Sequence, residues 1–109
     1  MSYDIVAPAL PRDLRPDLQA VLEEFGMELT SAGWPLAGVP DSRHWHIRRS
    51  ERRGTLEVTF QPEAAKLWVS VHANRDGGWA VQACPKFARA LAARLGGRAR
   101  KRPSPRARR

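Results

Sequence analysis

Three short runs between residues 43 and 73 alternate apolar and polar side chains: His44-Trp45-His46-Ile47-Arg48, then Thr55-Leu56-Glu57-Val58-Thr59-Phe60, then Leu67-Trp68-Val69-Ser70-Val71-His72. A period of two predicts strands with one buried and one wet face. Trp45, Ile47, Leu56, Val58, Phe60, Leu67, Val69 and Val71 fall on the apolar side. All three histidines (His44, His46 and His72) fall on the other, with Arg48, Glu57 and Trp68. The links at 50–54 and 61–65 are short enough for hairpins, so the runs form an antiparallel meander. Gly54 takes a positive φ at the end of the first turn. In that register Trp68 lies opposite Thr59, and His72 opposite Thr55.

Two stretches change period. Leu14, Leu18, Val21, Leu22 and Phe25 recur at helical spacing, with Asp13 as N-cap, Pro16 in the first turn and Gly26 as a stop. Leu29 and Ala32 continue that stripe, which leaves the end of the helix open between Phe25 and Ala32. Ala80, Cys84, Phe87, Ala88, Leu91 and Leu95 form a second stripe, closed by Gly96-Gly97. Pro85 either starts this helix or bends a longer one from near Trp79. The backward reach of the stripe favours the longer helix.

The remaining stretches read as connections. Residues 1–12 are an extended lead-in, in which Tyr3, Ile5 and Ala7 alternate as an edge strand would. Residues 33–42 hold two glycines and two prolines and read as loop, with Trp34 and Leu36 folded back over the core. The expected fold is an α+β two-layer sandwich: a three-stranded antiparallel meander with two helices on one face, in the order α-β-β-β-α. Residues 13–97 form that single domain, and 98–109 a disordered basic tail.

Composition narrows the setting. At 109 residues the chain makes one core. No apolar run approaches the roughly 20 residues of a membrane span. Met1-Ser2-Tyr3-Asp4 lacks a basic, then apolar, secretory leader. Cys84 is the single cysteine, so an intrachain disulfide is excluded. A reducing, cytoplasmic setting is expected. The net charge of +8 is concentrated: seven of the 19 basic residues lie in 98–109, leaving 12 against 11 acidic ones elsewhere. Sixteen arginines against three lysines also match the usage of a GC-rich bacterial genome.

Several constellations bear on chemistry. His44 and His46 lie two residues apart on one strand face, about 6.5–7 Å along the chain, a spacing that metal sites use. Glu57 is a further ligand or hydrogen-bond partner. His72 lies two strands away, about 9.5 Å, too far for one zinc. Structural zinc sites usually bring closely spaced Cys and His pairs, which this chain lacks, so no metal and no cofactor is assigned. The same histidines with Arg48 suit acid–base cleavage of a phosphodiester. Arg43, Arg48, Arg49, Arg52 and Arg53 crowd the first hairpin, where they could grip phosphates; Trp68 either faces water, where it could stack on an unpaired base, or is covered by the N-terminal lead-in or the tail. No phosphate-binding glycine loop, Cys-x-x-Cys or nucleophile elbow is present. Cys84, on an apolar stripe, reads as core.

The order α-β-β-β-α resembles the double-stranded-RNA-binding domain and the small toxin ribonucleases of the HicA type, over roughly residues 13–95. The first resemblance implies a Gly-Pro-x-His loop where this chain has Ser50-Glu51-Arg52-Arg53-Gly54, and a lysine cluster where only Lys86 is basic. The second implies Gly-Ser-His at the first strand after Gly-Trp. Here Gly33-Trp34 precedes Ser42-Arg43-His44, with an arginine inserted. Neither family is assigned.

The function expected is weak, non-enzymatic binding of nucleic acid, RNA or DNA, without sequence choice. The contacts are Arg43, Arg48, Arg52, Arg53 and Trp68 on the fold and Arg98, Arg100, Lys101, Arg102, Arg106, Arg108 and Arg109 in the tail. One alternative is a toxin-like ribonuclease or phosphodiesterase using His44, His46 or His72. The other is an adaptor that binds a protein, such as an acidic one, through the Trp68 face. No membrane partner is expected, and the pattern leaves the oligomeric state open.

Overall fold

The computed structural model describes residues 1–30, 34–36, 39–49, 54–71 and 78–103, with the backbone alone at 34–36 and 39–41. The three alternating runs become strands β4 (Val39–Arg48), β5 (Leu56–Gln61) and β6 (Lys66–Val71). They pair antiparallel in sequence order, with His44 opposite Thr59, His46 opposite Glu57 and Thr59 opposite Trp68. Gly54 takes φ 105° before β5, and Ala65 takes φ 52° where the second hairpin closes.

The sheet is wider than a three-stranded meander. Strand β1 (Ser2–Val6) pairs antiparallel with β6, and β7 (Arg98–Lys101) pairs with the far side of β1. Beyond β4 lie β2 (Glu28–Leu29) and β3 (Trp34–Leu36), both antiparallel to it. Among the described residues the order is β2-β4-β5-β6-β1-β7, with β3 also on β4. Three expectations are thereby corrected. The lead-in is an internal strand, the stretch at 33–42 contributes strand, and Arg98–Lys101 belongs to the sheet instead of a disordered tail. The cause is common: backbone ladders are blind to side-chain type, so Arg-Ala-Arg-Lys pairs with β1 although only Ala99 packs against the core. Residues 104–109 lie outside the described part.

Helix α1 (Arg15–Phe25) stops where Gly26 turns left-handed, at φ 65°. The Gly26 and Met27 amides cap it by bonding the carbonyls of Glu23 and Leu22. That cap overrides the apolar stripe that continues to Leu29. Asp13 is not the N-cap, a position taken by Leu14. Its carboxylate accepts the Arg15 backbone N–H and pairs with the Arg15 guanidinium, which holds Asp13 below the usual carboxylate range. Helix α2 (Gly78–Arg94) is the longer alternative and runs through Pro85, forgoing the hydrogen bond that proline cannot donate.

Leu14, Leu18, Val21 and Leu22 from the first stripe and Cys84, Phe87, Ala88 and Leu91 from the second meet Trp45, Ile47, Leu56, Val58, Phe60, Leu67 and Val69 in one buried cluster. Both helices therefore cover the same, apolar sheet face. Phe25 meets Phe87 edge-on at 5.7 Å, and Arg94 Nε bonds Asp17 at 2.9 Å across the helix pair. At the end of α2, a Cβ on Gly97 would lie 2.1 Å from the Val6 carbonyl oxygen. Only glycine lets the chain pass close enough to lay β7 on β1.

Candidate functional site

The face opposite the helices follows from parity. His44 and His46 on β4, Glu57 and Thr59 on β5, and Trp68 and Ser70 on β6 all point there, because their neighbours in sequence are buried on the other side. Antiparallel partners share a face, so the register places His44 beside Thr59 and His46 beside Glu57. The four side chains form a square at the middle of the sheet.

Within the square, His44 is the hub. Its Nδ1 lies 2.8 Å from Thr59 Oγ1, its Nε2 3.0 Å from Glu57 Oε1 and 3.2 Å from His46 Nε2. The imidazole rings meet nearly at right angles with centroids 5.0 Å apart, and His46 Nε2 is 4.0 Å from Glu57 Oε2. Exposure is graded: Thr59 is buried, the side chains of Glu57 and His44 keep 14% and 17% of their surface, and His46 keeps 38%. The Glu57 carboxylate thus lies against two imidazoles with little of its surface in water. His44, His46 and Glu57 each present a ligand atom, all within 4.8 Å of one another. His72 lies outside the described residues.

Trp68, which the sequence left either facing water or covered by the lead-in or the tail, is half-buried, with the Arg102 guanidinium 4.9 Å from its ring centroid. Arg102 is held there by Asp4 on β1, which sits opposite Trp68 in the ladder. Arg98 and Arg100 share the Arg102 side of β7 and are exposed, as is Lys101 on the reverse side.

Among the described residues, the three arginines expected at the first hairpin (Arg43, Arg48 and Arg49) do not cluster. Arg43 pairs in register with Phe60, near the far end of β5 from that hairpin. It sits on the helix side of the sheet, in a groove of about 350 Å³ lined also by Arg12, Asp13 and Trp45. Arg49 donates to the Phe25 carbonyl at the end of α1, 3.4 Å away. Arg48 is exposed opposite Glu28. Arg52, Arg53, Arg106, Arg108 and Arg109 lie outside the described residues. Cys84 is fully buried with Sγ 4.0 Å from the Val69 carbonyl, and desolvation pushes its thiol up to about 11.

Sequence reasoning assigned no role to Thr59 or Asp4 and named no particular tail residue as the cover of Trp68. Parity alone puts Thr59 on the face of His44, but the register of the first hairpin, separate from the one that opposes Thr59 to Trp68, makes them meet. The other two depend on β1 lying between β6 and β7. No protein family's model matches the chain, and neither the curated proteins nor the solved structures contain a match. Among the described residues no helix is long and apolar enough to cross a membrane.

Proposed function

We propose that the protein binds nucleic acid weakly and without sequence choice, along the β7 edge and the basic segment after it. The observation that carries this reading is the exposed run Arg98, Arg100 and Lys101 on a sheet edge. Arg98 and Arg100 are spaced about 7 Å apart on one face. Arginines on a rigid strand contact phosphates with less ordering cost than the same residues on a free tail. Arg102 belongs to the fold more than to the ligand, since Asp4 and Trp68 engage it.

The test uses three chains: the parent, one ending at residue 103, and an Arg98→Gln/Arg100→Gln double variant. Ending the chain at 97 would delete β7 itself. Single-stranded and duplex RNA and DNA are titrated across a salt series with chelator present. Binding should weaken per phosphate contact by about 0.9 log units per decade of salt on duplex DNA and about 0.7 on single strands. Both altered chains should show a shallower slope. Equal slopes in all three, or no binding at about 50 mM salt, would end the proposal.

A second reading is favoured by the His44–Glu57 approach of 3.0 Å: an acid–base pair for phosphodiester cleavage. RNA incubated with the parent and with His44→Ala decides it. Cleavage at the same rate by both rejects the pair.

A further inference from the structure

The geometry points to a divalent-cation site of the zinc class formed by His44 Nε2, His46 Nε2 and the Glu57 carboxylate on the sheet face opposite the helices. Ligand spacing is the first support. Zinc bonds of about 2.0–2.1 Å at a tetrahedral angle place neighbouring ligand atoms about 3.3 Å apart. His44 Nε2 stands 3.2 Å from His46 Nε2 and 3.0 Å from Glu57 Oε1. His46 Nε2 is 4.0 Å from the other carboxylate oxygen, Oε2, and one ligand atom from each of the three residues lies within 4.8 Å of the others. The terminal torsion of a glutamate is soft, so rotation of the carboxylate can bring one oxygen toward both imidazoles. Each of the three atoms offers a lone pair when its owner is unprotonated, and a cation accepts from all three at once.

The surroundings match what a ligating histidine requires. Binding through Nε2 obliges His44 to carry its proton on Nδ1, and Nδ1 lies 2.8 Å from the hydroxyl oxygen of buried Thr59. Such an outer partner fixes tautomer and ring orientation. All four residues stand on adjacent paired strands, β4 and β5, in a fixed register, so the donors are held together before any ion arrives. Two imidazoles and one carboxylate favour zinc, nickel and copper over calcium or magnesium, which prefer oxygen ligands throughout. The spacing His-x-His with Glu eleven residues further on lacks the closely spaced cysteine pairs of structural zinc motifs. The site is legible only once the strands are paired.

The experiment is a titration of the untagged full chain, stripped with chelator, with zinc chloride against a chromophoric competitor, and with cobalt(II) followed by its visible absorption. One equivalent should bind at micromolar concentration or tighter. Glu57→Gln and His46→Ala should each weaken binding at least tenfold, and Thr59→Val about tenfold through the orientation of His44. Cobalt absorption should shift in the Glu57→Gln variant, a change that a merely structural role would not produce. His44→Ala removes a mostly buried ring, so Glu57→Gln, which keeps size and shape, decides the matter if His44→Ala fails to fold. Dissociation constants above about a millimolar, or equal affinity in the parent and Glu57→Gln, would overturn the site. So would loss of binding in His72→Ala with His46→Ala binding like the parent. None of these readouts involves nucleic acid, so the site and the proposed function stand or fall separately.

Discussion

Arg102 and Trp68 belong to segments 34 positions apart in sequence, yet the guanidinium lies 4.9 Å from the centre of the indole's ring system and pairs at the same time with Asp4. The contact ties the strand after α2 to the middle of the sheet through β1. It also explains why a tryptophan on the wet face is only half exposed.

Removing that guanidinium should therefore be felt in two ways. Arg102→Ala should lower unfolding free energy by about 1 kcal/mol, the combined size of a partly exposed cation–π contact and an exposed ion pair. Urea titration measures it, and subtracting the matching Trp68→Phe spectrum from the parent and from Arg102→Ala isolates the emission of the indole in each. An unchanged midpoint with unchanged Trp68 emission would show that the contact does not persist in solution.

Adjacent glycines should differ sharply. Gly96 takes φ 75° and a Cβ there would meet nothing within 4 Å, so Gly96→Ala should cost about 1–2 kcal/mol for the left-handed backbone alone. Gly97→Ala would drive its Cβ onto the Val6 carbonyl and displace β7 from β1. It should cost about 3 kcal/mol or more. Thermal or urea midpoints of the two variants, measured side by side, give the ranking.

The left-handed Ala65, at φ 52°, predicts a gain instead of a loss. Ala65→Gly should relieve most of the strain of a Cβ in that region and raise stability by up to about 1 kcal/mol, less the entropy that glycine adds to the unfolded chain. A lower urea midpoint would contradict the assignment of the turn.

Burial of the Cys84 thiol sets a pH dependence. The folded state disfavours the thiolate, with the thiol pushed up to about 11, against about 8.5 for a free cysteine. A group raised on folding contributes fully below its unfolded value and loses that contribution as pH climbs to the folded one. Stability of the parent relative to Cys84→Ala should thus be flat below about pH 8 and fall between about 8.5 and 11. In native buffer at pH 8 the thiol should react with a disulfide reagent only at the rate of unfolding.

Phe87 is fully buried and meets Phe25 edge-on. Phe87→Ala should cost about 3–5 kcal/mol, a large share of the roughly 5–15 kcal/mol of a small domain. Arg94→Ala, which breaks the partly exposed pair with Asp17, should cost less than about 1 kcal/mol. Comparable losses in the two would mean that the helix pair is held by charge and not by packing.

What the chain's own pattern determined is which way side chains face. Alternation in β4, β5 and β6 and the stripes of α1 and α2 are local, each a few residues long, and each side chain's partition between core and water is settled there. That alone put His44, His46, Glu57 and Trp68 on one surface. The tertiary structure decided the rest: β1 inserted between β6 and β7, α1 stopped at Gly26 despite an apolar stripe beyond it, and Arg102 laid over Trp68. It also brought the Glu57 carboxylate within 3.0 Å of His44. Strand pairing at long range is made by backbone groups that every residue carries. Sequence therefore holds little record of which strands meet, and the register of a ladder, not the identity of its residues, selects the side chains that touch.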